Sequence, residues 1–174
     1  WGEDDFGLKK SFDRARWLAS VGAVAGAVRA GLYEKVVLAA MRELEADGPI
    51  APGAALASLR AGYPDCHLFS FTAGDATFLG ASPELLVSLR GGAVLALGLA
   101  GSARRDVDPA IDAQLGQALL DSAKDRIEHE TVVRALRESL APVTGELRAP
   151  NQPALLRLRN IQHLATEITG RVRP

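Results

Sequence analysis

Acid, base and cation chemistry concentrates at four places in this chain. Lys124-Asp125-Arg126-Ile127-Glu128-His129-Glu130 packs charge densely between the apolar flanks Leu119-Leu120 and Val132-Val133. A helix that leans on a core while carrying Lys, Glu and His in one turn often presents carboxylates to a site rather than to bulk water. Lys124, Glu128 and Thr131 share one helical face, because residues three and four apart are neighbours. Glu128 has two roles open to it. One is a weak surface pair with Lys124; the other is an oxygen ligand for Mg²⁺, a hard cation that typically takes one or two protein carboxylates. His129 and His163 suit zinc poorly: with Cys66 as the one cysteine and the histidines scattered, hydrogen-bonded structural histidines fit the spacing better.

Lys35 heads the apolar run Val36-Val37-Leu38. It is either a surface lysine at a strand end or a partly desolvated ammonium, which favours the neutral amine able to take a proton. Glu84 follows Ser82-Pro83, and Pro83 fixes the backbone at that point. It is either a solvated strand-end carboxylate or one crowded by Phe78-Leu79 and Leu85-Leu86, which favours the protonated form suited to donation. Leu99-Ala100-Gly101-Ser102 is small enough for a ligand to approach the backbone, where N–H groups and the Ser102 hydroxyl suit a carboxylate. The alternative is a loop that needs glycine for its torsion angles. No G-x-G-x-x-G or G-x-x-x-x-G-K-[ST] nucleotide fingerprint occurs.

The elements that must position these groups follow from local signals. Residues 12–30 read as a helix capped by Ser11 and ended by Gly31, and 35–40 as a short buried strand. Residues 52–61 suggest a helix. Strands at 67–72 and 77–80 flank a turn at 73–76, and strands at 84–90 and 93–99 flank Gly91-Gly92, a two-residue hairpin turn. Asp108-Pro109 starts a helix to about 122, Asp capping and Pro in the first turn, and a second helix covers 123–140. Residues 142–153, with three prolines, read as a loop, and 155–172 as extended. Strands and helices cluster rather than alternate. That favours an α+β fold, an antiparallel sheet covered by helices on one side.

The 174 residues, 48% hydrophobic, suffice for one domain with a core. A formal charge of -1 from twenty basic and twenty-one acidic residues gives no argument for nucleic acid. A single cysteine excludes an intramolecular disulfide and fits a reducing cytoplasm. Glu3-Asp4-Asp5 lacks the order of a signal peptide, and the longest weakly polar run, 18–28, is too short for a bilayer. The expectation is a soluble, cytoplasmic protein. The sequence closes on Arg171-Val172-Arg173-Pro174 directly after a strand, so it reads as a fragment with an open sheet edge.

Five islands, in order, resemble the chorismate-utilising enzymes and most closely their isochorismate synthase branch. They are Lys35-Val36-Val37-Leu38, Gly80-Ala81-Ser82-Pro83-Glu84-Leu85-Leu86, Leu99-Ala100-Gly101-Ser102-Ala103-Arg104-Arg105, the Lys124 to Glu130 stretch, and Gln162-His163-Leu164-Ala165-Thr166. The resemblance covers about residues 33–170. It implies a partial catalytic domain over 1–174, truncated at both ends, and part of the family's α/β sandwich. It also implies Mg²⁺, a small-molecule substrate (chorismate), no membrane or nucleic-acid partner, and a monomer at full length.

Position by position, the resemblance gives Lys35 the role of base for the incoming water and Glu84 that of acid for the departing hydroxyl. Glu128 matches a magnesium ligand, Gly101 and Ser102 match substrate contacts, and His163 matches an active-site histidine near the leaving hydroxyl. Family members that use ammonia differ at the Lys35 position, so lysine implies water. Isochorismate synthase, serving siderophore or menaquinone synthesis, is therefore expected. Salicylate synthase is the enzymatic alternative, and a non-catalytic interaction module the other. The family's basic residue is replaced by Ala40, and its later His-Pro-Thr-Pro stretch, second magnesium glutamate, carboxylate-gripping arginine and Gly-Ala-Gly loop are missing. The 174 residues alone are thus expected to be inactive or nearly so.

Overall fold

A computed structural model describes the backbone of residues 6–10 and residues 13–173 in full. The expected cap Ser11 and the acidic Glu3-Asp4-Asp5 lie outside the described residues. The chain divides into two compact units, Trp1–Ala55 and Leu56–Pro174.

In the first unit, strand β1 (Phe6–Lys10) pairs antiparallel with β2 (Glu43–Ala46), with Gly7 opposite Glu45. Between them runs helix α1 (Arg14–Arg29). Its N-cap is Asp13, whose carboxylate accepts from the Arg16 N–H at 2.9 Å, and Gly31 follows its end at φ +75°. The strand expected at 35–40 is absent: these residues carry no regular structure, and Val37 is 79% exposed. A β-branched run becomes a strand only where a neighbour takes its backbone hydrogen bonds, and among the described residues none pairs with it.

Helix α2 (Pro52–Gly62) leads into the second unit, with Pro where its N–H would have lacked a partner anyway. The hairpin of β3 (His67–Ala73) and β4 (Ala76–Ser82) turns through Gly74-Asp75, two residues rather than four, with Gly74 at φ +57°. The Phe69 ring lies over Gly80, where a Cβ would come within 2.7 Å of it, and meets Phe78 at 5.3 Å between ring centres.

The main sheet runs β5 (Ser88–Arg90), β6 (Ala93–Arg104), β9 (Ile161–Val172) and β7 (Thr144–Arg148), with β8 (Ala154–Arg157) also paired to β9. Gly91 and Gly92 turn the β5–β6 hairpin, both with positive φ (54° and 77°), as a type I′ turn requires. β5 is shorter than the expected 84–90; its approach is held at Leu85, whose carbonyl accepts from the Leu97 N–H at 3.2 Å. The proline-bounded stretch 142–153, expected as a loop, contains β7, since its prolines flank the paired residues. The extended stretch 155–172 is broken into β8 and β9 by a turn, closed where the Leu158 N–H meets the Ile161 carbonyl.

Helices α3 (Pro109–Asp121) and α4 (Ala123–Leu140) pack on this sheet. The Asp108 carboxylate caps α3 by accepting from the N–H groups of Ala110 and Ile111. Ser122 caps α4, taking the Asp125 N–H and donating to the Asp125 carboxylate at 2.5 Å. Alternation along the two long strands sends Val94, Ala96, Ala100, Leu164 and Ile168 into the core. Small residues on β6 admit α4 closely: a Cβ on Gly98 would lie 3.0 Å from Val133. The α+β expectation, an antiparallel sheet covered by helices, describes this unit.

Candidate active site

The expected site residues fall in both units. Lys35 lies in the first, half-buried in the irregular stretch after α1. Glu84, Gly101, Ser102, Glu128 and His163 lie in the second. Each unit is described by itself.

Glu84 stands between β4 and β5, one residue before the Leu85–Leu97 backbone bond, and its backbone N–H donates to the Ser82 hydroxyl at 3.2 Å. It is exposed, and so are Phe78 and Leu86, each at 68%. The apolar crowding expected around this carboxyl is therefore absent at those two side chains.

Ser102 and His163 are brought together. They are cross-strand partners on β6 and β9, and Ser102 Oγ lies 2.8 Å from His163 Nδ1. A bulge makes them so. Ala100 pairs with Leu164, Gly101 is an extra residue at φ +78°, and pairing resumes with Ser102 opposite His163. In an uninterrupted ladder Gly101 would have faced His163 and Ser102 would have faced Gln162, which is wholly buried on the helix side. One inserted residue thus turns the Ser102 hydroxyl outward. The sequence offered Gly101 as small and permissive, but nothing in it announced a phase change.

Glu128 is half-buried on α4, one turn after Asp125 and on the same helical face. Asp125 closes over the bulge: a Cβ on Gly101 would meet the Asp125 Cβ at 3.1 Å. The magnesium-ligand expectation therefore sits on a helix whose first turns touch the Gly101 segment. Among the described residues no group of three or more His, Cys, Asp and Glu gathers as a metal cluster.

His129 is structural, as its spacing suggested. It is 2% exposed, and its Nε2 lies 2.7 Å from Thr166 Oγ1, tying α4 to β9. Sequence reasoning missed the pair that holds the end of β6. Arg105 meets Asp112 side-on, Nε to Oδ1 at 2.7 Å and Nη2 to Oδ2 at 2.9 Å, and its Nη1 donates to the Leu158 carbonyl. This contact and the Asp106 N–H hold the Asp112 carboxyl below its usual range, and hydrogen bonding to Asp112 raises Arg105. Asp106 is also lowered, chiefly by the Asp108 N–H and then by Arg104. The Gln162 amide donates to the Arg104 and Asp112 carbonyls at 3.3 and 3.4 Å. A cleft of about 390 Å³ beside α4 is lined by His129, Arg134, Arg137, Asn151 and Thr166, and by none of the expected site residues.

A family model described as chorismate binding enzyme matches residues 3–174. The chain belongs to the chorismate-binding enzymes. Relatives in this family include the salicylate biosynthesis isochorismate synthase of Pseudomonas aeruginosa, 46% identical over 160 residues, which span 92% of this chain and 33% of that protein. The isochorismate synthase EntC of Escherichia coli is 40% identical over 139 residues, 79% of this chain and 36% of EntC. Among solved structures, DhbC from Bacillus anthracis matches with a TM-score of 0.88 and 30% identity, covering all of this chain and 48% of that one. The chain spans about a third of the length of the curated relatives it matches. Among the described residues no helix is long and apolar enough to cross a membrane.

Proposed function

We propose that the full-length protein is an isochorismate synthase, an isomerase that adds water to the chorismate ring while a ring hydroxyl leaves. The observation that carries this is the family membership, and the lysine at position 35 is read, from the resemblance, as pointing to water as the nucleophile. The two named relatives are isochorismate synthases by their own names. Siderophore or menaquinone supply is the proposed pathway context; the solved MenF of Escherichia coli is a menaquinone-specific isochorismate synthase by its own title.

The chemistry needs a base on one side of the ring and an acid on the other. The Lys35 amine takes a proton from the incoming water as the new C–O bond forms. Glu84 gives a proton to the hydroxyl whose C–O bond breaks, so that water departs and no net proton is consumed. The Gly101 backbone and the Ser102–His163 pair face the substrate, with His163 near the leaving hydroxyl. Mg²⁺ would be held by Glu128. One half-buried carboxylate fits a cation that keeps several waters and uses one or two protein carboxylates. When bound, it supplies charge neutralisation for a substrate carboxylate.

Running the reaction in ¹⁸O-labelled water tests this reading. One labelled oxygen per isochorismate is expected. Unlabelled product, or an amino product formed from added ammonia, would overturn it.

A further inference from the structure

We infer that Ser102 is a positioning residue for His163: its hydroxyl donates to Nδ1, which leaves the Nε2 N–H as the ring's donor toward the leaving hydroxyl. The inference rests on the proposed isochorismate synthase reading for the identity of that hydroxyl, but its geometry stands on the fold.

Three observations carry it. Ser102 Oγ lies 2.8 Å from His163 Nδ1, full hydrogen-bond distance for two side chains on different strands. Within the described residues, that ring nitrogen is the sole hydrogen-bond partner of the hydroxyl, and His163 Nε2 has none. Last, the contact is built by the Gly101 bulge, without which Ser102 would face the buried side of the sheet. Bulges commonly re-aim a side chain in this way.

The consequence is chemical. In a neutral imidazole one nitrogen donates and the other accepts, and the partner of one sets the state of the other. A serine hydroxyl can rotate to donate or accept, whereas the departing hydroxyl presents lone pairs to the histidine. With Ser102 donating, His163 meets those lone pairs with a proton. With Ser102 accepting, Nε2 would offer a lone pair to an oxygen that needs a donor. The hydroxyl at 102 is therefore already committed to the protein, and carboxylate binding at this corner falls to other groups.

The experiment uses the full-length protein labelled with ¹⁵N-histidine, with the His163 signals assigned by their loss in His163→Gln. Long-range ¹⁵N–¹H spectra and steady-state kinetics are compared for the wild type, Ser102→Ala and Ser102→Thr. The expected wild-type spectrum shows neutral His163 protonated at Nε2. Ser102→Ala is expected to give a tautomer mixture and a kcat about tenfold lower with KM little changed, the scale of one net hydrogen bond. Ser102→Thr, which keeps the hydroxyl, restores both. A wild-type ring protonated at Nδ1, an Ala variant with an unaltered spectrum, or a raised KM at unchanged kcat would overturn the inference. The spectra need no turnover: a protein that leaves chorismate untouched yet holds His163 in the Nε2 form contradicts the proposed reaction and not the Ser102 contact.

Discussion

A methyl group on Gly101 would lie 3.1 Å from the Asp125 Cβ and 3.3 Å from Leu164 Cδ1, so β6 and α4 touch where the bulge forms. Gly101 also sits at φ +78°, which side-chain-bearing residues rarely adopt. Gly101→Ala should therefore destabilise the protein by about 1–3 kcal/mol, read from urea midpoints. It should also disturb the Ser102–His163 contact. An unchanged midpoint would mean that the bulge carries no such constraint.

Asp112 gives a pH dependence with a definite sign. Arg105 and the Asp106 N–H hold its carboxyl below the ordinary value of 3.8 in the fold. A depressed folded value contributes stability that is fully present above the unfolded value and is lost as pH falls through the folded one. The wild type should thus lose stability steadily below about pH 4. Asp112→Asn should melt lower than the wild type at neutral pH, with the gap narrowing under acid. Thermal melts at pH 7 and pH 3 check this; a gap that widens in acid would contradict it.

Gly116 tests the packing beneath β9. A Cβ there would come within 2.8 Å of both Gln162 Oε1 and Leu155 Cδ1. The Gln162 side chain is not free to give way, because its amide is tied to the Arg104 and Asp112 carbonyls. Gly116→Ala should cost roughly 1–3 kcal/mol by overpacking, despite the better helix propensity of alanine. Equal or higher stability would show that α3 shifts freely over the sheet.

Lys35 separates catalysis from folding. It stands in an irregular stretch rather than a ladder, so Lys35→Ala breaks no backbone strand pairing. The variant should still unfold in one cooperative transition and lose isomerisation by on the order of 10²-fold or more. Retained turnover would remove the lysine from the mechanism.

What the sequence disclosed was mostly local. The Gly91-Gly92 turn, the Asp108-Pro109 start of α3 and the extent of α4 each follow from a rule acting within a few residues. What it hid depends on distant partners. The run after Lys35 has strand composition but no neighbour, whereas Thr144–Arg148 has proline flanks yet finds β9. Arg105 and Asp112 flank the start of α3, and only the folded turn closes their bidentate contact. The site was half legible. Ser102 and His163 were each chosen from the sequence, but their contact needs the extra residue at Gly101, which periodicity counts as one more strand position. Of the apolar side chains expected around Glu84, Phe78 and Leu86 are exposed, whereas Leu79 and Leu85 are half-buried.

The central claim is the conversion itself. Full-length protein incubated with chorismate and Mg²⁺, with products separated by chromatography, tests it most directly. The account predicts isochorismate accumulating to an equilibrium with chorismate, without salicylate or pyruvate. Salicylate with equimolar pyruvate, or chorismate left unchanged by folded protein, would contradict it.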